Sequence, residues 1–541
     1  MEQQRNLLFI LLLCAAMFLF WDWNADKANA QKLAEQTATL NSQEISSETA
    51  VGKVVKLISD NLELTINLKG GDIIDAKLLK IKQEQDKNDP FHLLMTTPQF
   101  KYQAQSGLAG RDGIDNKERP EFTADNTEFK IADGDKSVSA DLVYVKDGVT
   151  YTKTFTVERD SYVVNVKYSI NNESEKDLNL CFYGQLKQTA DDSFLQNSSG
   201  FGMVASAYRG TAYSSDESRY EKKTLDDIID DSSYNVSTKD GWVAMIQHYF
   251  VSSWIAGDNG VNNVIYSNNT DNKSTAIIGI RSDSVDIAAG TSKTLSEKLW
   301  LGPKNQDAME SVAKNLELTV DYGWLWFISI PLFKLLNFIH SFIGNWGFSI
   351  IVLTIIVRTL MFPLTKAQYT SMAKMRLLQP KLIELRERYK DDRQKIGTET
   401  MKLYKTEKVN PLGGCLPLLI QMPIFIALYW TLMESTELRQ SSFMLWITDL
   451  SVKDPYFVLP ILYGITMFFL QKMSPTPITD PVQRKVFMAM PFVFTFMFCT
   501  FPAGLTLYWL VSNCFTILQQ FVIFRSLEKR GLSVKKQPAK K

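Results

Sequence analysis

The sequence predicts a multi-domain membrane protein: a polytopic α-helical core of five spans with an N-terminal anchor, and a large antiparallel β-sandwich domain outside the membrane. Three observations carry this. Apolar runs of spanning character lie at the N-terminus and again after residue 322. Between them, about 250 residues alternate with period two. Charge is also segregated: the chain balances 59 Lys+Arg against 59 Asp+Glu, yet residues 24–322 hold 45 acidic and 32 basic side chains, so the rest is strongly basic. Such asymmetry marks a boundary between compartments or partners.

Residues 6–21, NLLFILLLCAAMFLFW, come after a lone Arg5. Ala28-Asn29-Ala30 offers a signal-peptide cleavage site, but it lies nine residues beyond Trp21, and Trp21 and Trp23 suit an outer interface. An uncleaved anchor over 1–23 is the expectation, and either reading exports the β-rich region beyond it. Residues 24–52 are polar, with too few large apolar side chains to offset the entropy of ordering, and read as a linker.

The β-domain is expected over 53–320. NLELTINL puts Leu62, Leu64, Ile66 and Leu68 on one face before Gly70-Gly71, and YVVNVKYSI alternates likewise. Asp147-Gly148 between two alternating runs is a hairpin signal. Residues 303–320 read as one short helix. Of five cysteines only Cys181 lies in the acidic half, so no disulfide forms within that domain, and neither the cysteines nor the three histidines have metal-ligand spacing.

The segment 321–343 is apolar enough to span. However, Lys334, Asn337 and Ser341 form one polar stripe, as on an interfacial helix. Parity agrees: were 321–343 a span as well as 344–364, the basic segment 365–410 would lie outside. That segment holds twelve Lys+Arg and six Asp+Glu and reads as a helical hairpin joined at Asp391-Asp392. Further spans are expected at 411–433, 456–471, 486–501 and 505–524. The positive-inside rule puts 365–410, the 472–485 loop and the basic tail 525–541 in the cytoplasm, and the 434–455 loop outside. Six spans with both termini inside satisfy every assignment.

Polar residues within the spans are the candidate site. In SIIVLTIIVRTLMFPL the single charge is Arg358, which cannot shed its proton and costs at least ~2.5–3.5 kcal/mol near a bilayer centre. Thr354 lies one turn away. The 411–433 span carries Gln421; the last span carries Ser512, Asn513, Thr516, Gln519 and Gln520. Two readings stay open: Arg358 snorkels and the stripe bonds helix to helix, or these residues line a hydrated groove with one fixed cation. There is no phosphate-binding loop, zinc-protease motif or nucleophile elbow, so neither enzyme chemistry nor a cofactor is expected.

The stretches GNWGFSIIVLTIIVRTLMFPLTKAQYTSMAKM, NPLGGCLPLLIQMPIFIALYW and FPAGLTLYWLVSNCFTILQQ resemble the YidC/Oxa/Alb family of membrane protein insertases, in the long form with a periplasmic domain. The resemblance runs the whole length. It implies five core spans around a hydrophilic groove closed on the periplasmic side, with Arg358 and Thr354 in it, and a periplasmic β-supersandwich. It also implies a substrate slide at Phe425 and Met497 with Tyr463 and Trp509 nearby. Trp509 falls where relatives often carry tyrosine and Tyr463 where some carry methionine; both swaps keep bulk and apolarity. The implied partners are nascent membrane proteins, membrane lipids, the Sec translocon, and the ribosome through the basic hairpin and tail. The alternatives are a solute channel or transporter with a periplasmic sensing domain, or a carbohydrate-binding module on a membrane anchor.

Overall fold

The computed structural model describes residues 53–83, 88–190, 208–230, 235–270, 274–389, 392–407, 409, 416–473 and 481–529. The expected anchor (1–23) and linker (24–52) lie outside these, as do part of the 472–485 loop and the last twelve residues of the basic tail. The chain divides into a β unit ending at Asp321 and a helical unit beginning at Tyr322.

In the β unit, an eleven-stranded and an eight-stranded sheet pack face to face. Period-two alternation drives this, because successive side chains point to opposite faces. Leu62, Leu64 and Ile66 are buried on one strand, and Val164, Val166, Tyr168 and Ile170 on another. Both sheets feed one core. Trp254 of the smaller sheet donates its indole N–H across it to the Gln185 carbonyl at 3.0 Å, and Tyr168 meets Phe182 edge-on at 5.6 Å. Pairing is antiparallel except at one edge, where Val54–Ile58 runs parallel to Glu128–Lys130. Asp147 and Gly148 both take positive φ, 52° and 75°, and close the hairpin in which Lys146 faces Val149.

A short helix, α1, covers Leu225–Asp230. The helix expected over 303–320 is instead split. Asn305 caps α2 (Gln306–Val312), which stops at Ala313, and Asn315 at φ 66° reverses the chain before a 3-10 turn at Leu316–Thr319.

Among the ionisable side chains buried in the β unit, two stand out. Lys153 is fully buried and donates to the carbonyls of Gly71 (2.7 Å), Ser106 (3.0 Å) and Gly70 (3.1 Å). The Gly70-Gly71 turn, at φ 85° and 62°, admits it; a Cβ on Gly71 would stand 2.9 Å from the lysine stem. Burial pulls the Lys153 ammonium down to about 7, although nearby Asp72 opposes the shift. Glu297 is also buried, neither of its oxygens has a hydrogen-bond partner, and burial pushes its carboxyl well above the usual range.

The helical unit contains α3 (Trp326–Ile343), α4 (Trp346–Leu360), α5 (Phe362–Leu377), α6 (Gln379–Arg388), α7 (Arg393–Thr406), α8 (Leu416–Glu434), α9 (Val458–Met473), α10 (Pro481–Phe498) and α11 (Ala503–Lys529). Asn345 caps α4 by accepting from Phe348 N at 3.1 Å, and Asp392 caps α7 by accepting from Lys395 N at 2.9 Å. α4 does not end where the sequence pattern ends its span. The chain turns 59° at Met361 and continues as α5. Pro363 supplies the cause, having no N–H for the carbonyl four residues back. α11 packs on α4, α5, α8 and α9. By length and composition it can cross a membrane, as can the α3 segment and the bent α4–α5 pair; α8, α9 and α10 contribute shorter apolar helices. On α3, Ser329, Phe333, Leu336 and Ile339 are buried, while Lys334 and Ser341 are exposed beside Phe338 and Phe342.

Candidate functional site

Arg358 occupies the last turn of α4, where a cation complements the negative end of the helix dipole. Its side chain is half-buried. Nε donates to the Ser512 hydroxyl on α11 at 2.8 Å, and Nη2 reaches the same oxygen. Among the described residues it meets no carboxylate. The bend leaves the Arg358 carbonyl at a helix end, and Gln519 of α11 donates to it at 2.9 Å. Ser512 and Gln519 thus hold the side chain and backbone of one residue, from positions two helical turns apart on α11. The Gln519 side-chain oxygen is itself buried without a hydrogen-bond partner.

The other expected groove residues spread from this point. Thr354 is buried and its hydroxyl returns to the Ile350 carbonyl at 2.6 Å. Thr516 does the same to Ser512 O at 2.7 Å. Gln520 donates to the Tyr369 hydroxyl of α5. Gln421 of α8 reaches the Thr365 hydroxyl of α5 at 3.4 Å. Asn513 bonds Thr466 of α9 at 3.3 Å, away from the arginine. The polar residues of α11 therefore serve two neighbours rather than one wall. Ser512, Gln519 and Gln520 face the bent α4–α5 pair, and Asn513 faces α9.

Thr365 and Tyr369 belong to this polar seam and are missing from the sequence expectation. They lie seven and eleven residues after Arg358, on the same helical face, which would have flagged them had the Met361–Pro363 segment been read as a bend instead of an end.

Beyond the polar seam lies an aromatic cluster centred on Trp509. Phe425 meets it edge-on at 4.1 Å, Phe498 at 4.9 Å and Tyr463 at 5.9 Å. Met497 packs half-buried against the same core. Tyr463 is 2% exposed, so it presents no lipid-facing surface and backs the cluster from within. Phe425, Met497 and Trp509 keep part of their surface open.

Residues 338–530 match the family described as 60Kd inner membrane protein, and residues 54–335 match the YidC periplasmic domain. A membrane protein insertase YidC of Aeromonas hydrophila subsp. hydrophila is 53% identical over 98% of this chain and 99% of its own. One from Tolumonas auensis is 53% identical over 99% and 100%. The chain belongs to the YidC family of membrane protein insertases. A solved structure described as an active YidC insertase with its first transmembrane domain resolved covers 90% of this chain and 99% of its own, at 19% identity and a TM-score of 0.37. Membership of the YidC family makes the protein an inner-membrane insertase and chaperone with a periplasmic domain, acting on nascent membrane proteins and lipid. It is not an enzyme, and the channel or transporter alternative falls.

Proposed function

We propose that the polar seam around Arg358 receives the hydrophilic tail of a nascent membrane protein while its apolar segment passes into lipid past Phe425 and Met497. The observation that carries this is a guanidinium on an apolar helix whose described partner is a neutral hydroxyl on Ser512. An unpaired cation in such a setting attracts carboxylates or polar backbone. In this reading Gln421, Ser512, Gln519 and Gln520 line the path with Thr354 and Thr516 beneath, Asn513 ties α9 to α11, and Trp509 and Tyr463 stiffen the slide. Burying an apolar segment at roughly 25 cal/mol per Å² supplies the drive, and the groove lowers the barrier. Acidic tails gain further from the membrane potential, ~2.3 kcal/mol per charge per 100 mV.

The topology proposed with it has six spans and both termini in the cytoplasm, with α3 lying in the interface. α9 has sixteen residues, about 24 Å at ~1.5 Å per residue against a ~30 Å hydrocarbon core, which favours local thinning. α6, α7 and the basic tail dock ribosomal RNA through phosphate contacts that weaken with salt. The groove opens to the cytoplasm, and insertion proceeds alone or beside the Sec translocon.

The test is insertion by purified protein in liposomes of a single-span substrate with a short acidic tail, scored by protease protection. Wild type is expected to insert and Arg358→Ala to fail while keeping its melting transition. Equal insertion by both overturns the tail-holding role.

A further inference from the structure

The segment between α8 and α9, residues 435–457, ends in a turn with an unusual tip. Gln440–Thr448, QSSFMLWIT, holds no charged residue. Its flanks are stapled. Phe443 N donates to Ile447 O at 3.0 Å, Ile447 N to Met444 O at 3.1 Å, and Leu450 N to Ser441 O at 3.0 Å. Asn345 beside α4 donates to Phe443 O at 3.0 Å. The Phe443 ring stands edge-on to Phe348 of α4 at 5.1 Å, and a Cβ on Gly347 would collide with it. Trp446 donates to Asp454 Oδ1 at 2.9 Å. Between these anchors Leu445 projects 78% exposed with φ 55°, next to an exposed Met444.

A leucine held left-handed and turned into water is unfavourable on both counts. Such strain persists where surroundings over-determine it, and it tends to sit at functional places. We infer that the Met444–Leu445 turn is a lipid-inserted finger that seats this segment in the outer leaflet beside the bundle. Three observations favour lipid as the occupant. Exposed Phe348, on a membrane helix, continues the apolar surface up to the Phe443 ring beneath the tip. Trp446 and exposed Tyr456 pair edge-on at 6.5 Å, the aromatic chemistry of a membrane interface. Two of the segment's three carboxylates turn inward: Asp454 accepts from Trp446, from Tyr456 N at 3.0 Å and from Leu459 N at 2.8 Å, and Asp449 accepts from Ser451 N at 2.8 Å and Oγ at 2.7 Å. The finger would hold the extracytoplasmic end of the bundle in register with a thinned bilayer.

The outer-leaflet assignment rests on the six-span topology, so the experiment separates the two. In a full-length chain with its native cysteines replaced, Leu445→Cys, Met444→Cys and, as a solvent reference in the β unit, Lys146→Cys each carry an environment-sensitive fluorophore in proteoliposomes. Probes at 444 and 445 are expected to be quenched by lipid-borne doxyl groups about twofold or more above the reference, and by aqueous iodide correspondingly less. Iodide quenching equal to the reference, with no doxyl effect, overturns the finger. A membrane-impermeant thiol reagent on Ser442→Cys in spheroplasts is expected to label from outside. Labelling only after lysis overturns the outer-leaflet assignment and the topology together.

Discussion

Lys153 in the β unit and Arg358 in the helical unit are both cations drawn out of bulk water, and among the described residues neither touches a carboxylate. Their surroundings differ. Lys153 is saturated by three carbonyls, and burial brings it to the edge of losing its charge, at about 7. Arg358 has one hydroxyl partner and cannot lose its charge. A saturated cation with a dispensable charge knits its own fold together, here the Gly70-Gly71 turn. In the proposed function, an undersaturated cation with a permanent charge is left to meet a substrate tail. Under the proposed function, residue type and partner count set the tail-holding charge of Arg358 apart from the structural charge of Lys153.

The largest test of that contrast is at Arg358. A charge-assisted hydrogen bond is worth roughly 1.5–3 kcal/mol, so Arg358→Ala is expected to slow insertion of an acidic-tailed substrate about tenfold or more. The melting transition should not move. Lys153→Met should do the reverse. It leaves the Gly71 carbonyl without its Lys153 donor, while Arg119 still donates to those of Gly70 and Ser106, at a cost of about 1–3 kcal/mol, lowering the melting temperature of the β unit in calorimetry of the full chain. Insertion per folded molecule should be unchanged. A melting loss at Arg358, or an insertion loss at Lys153, breaks the comparison.

Smaller effects sharpen it. Ser512→Ala frees the guanidinium without removing it, and insertion is expected to fall about two- to fivefold, less than for Arg358→Ala. Titration gives a further handle. The unfolded Lys153 ammonium, near ~10.4, binds its proton more tightly than the folded one, so this residue makes the β unit more stable as pH rises from about 7 toward that value. Lys153→Met removes that slope. Glu297 works with the opposite sign. Its folded carboxyl keeps a proton that the unfolded chain has released above ~4.3, so it costs stability increasingly as pH rises from there toward its raised folded value. Glu297→Gln is expected to raise the melting temperature slightly at neutral pH and flatten the profile from pH 5 upward.

Much of this was legible in the sequence, because periodicity is local. Leu62, Leu64 and Ile66 announce an inward face, and Asp147-Gly148 announces a hairpin. Arg358 stands out against its apolar neighbours, and Ser512, Thr516 and Gln519 repeat at helical spacing. What was not legible depends on distant partners or ambiguous breaks. Pro363 ends or bends a helix equally well by its local chemistry, so Thr365 and Tyr369 were assigned to a cytoplasmic hairpin instead of the polar seam. The partner of Arg358 lies 154 residues away on α11. Asn513 is next to Ser512 in sequence and has a different neighbour in space. The burial of Tyr463 comes with the rings of Phe498 and Trp509 packed on it, which no local pattern reveals. Lys153 alternates in phase with Tyr151 and Phe155 and so faces inward, but the turn that accepts it comes from another sheet.

The most direct measurement reverses the charge on both sides. Insertion of matched acidic-tailed and basic-tailed single-span substrates is compared in vesicles without a membrane potential, using wild type and Arg358→Glu. Wild type should favour the acidic tail and Arg358→Glu the basic one, since the attraction lies between the tail and residue 358. An unchanged order of preference in the variant, with both proteins folded and active, would contradict the claim that Arg358 holds the tail.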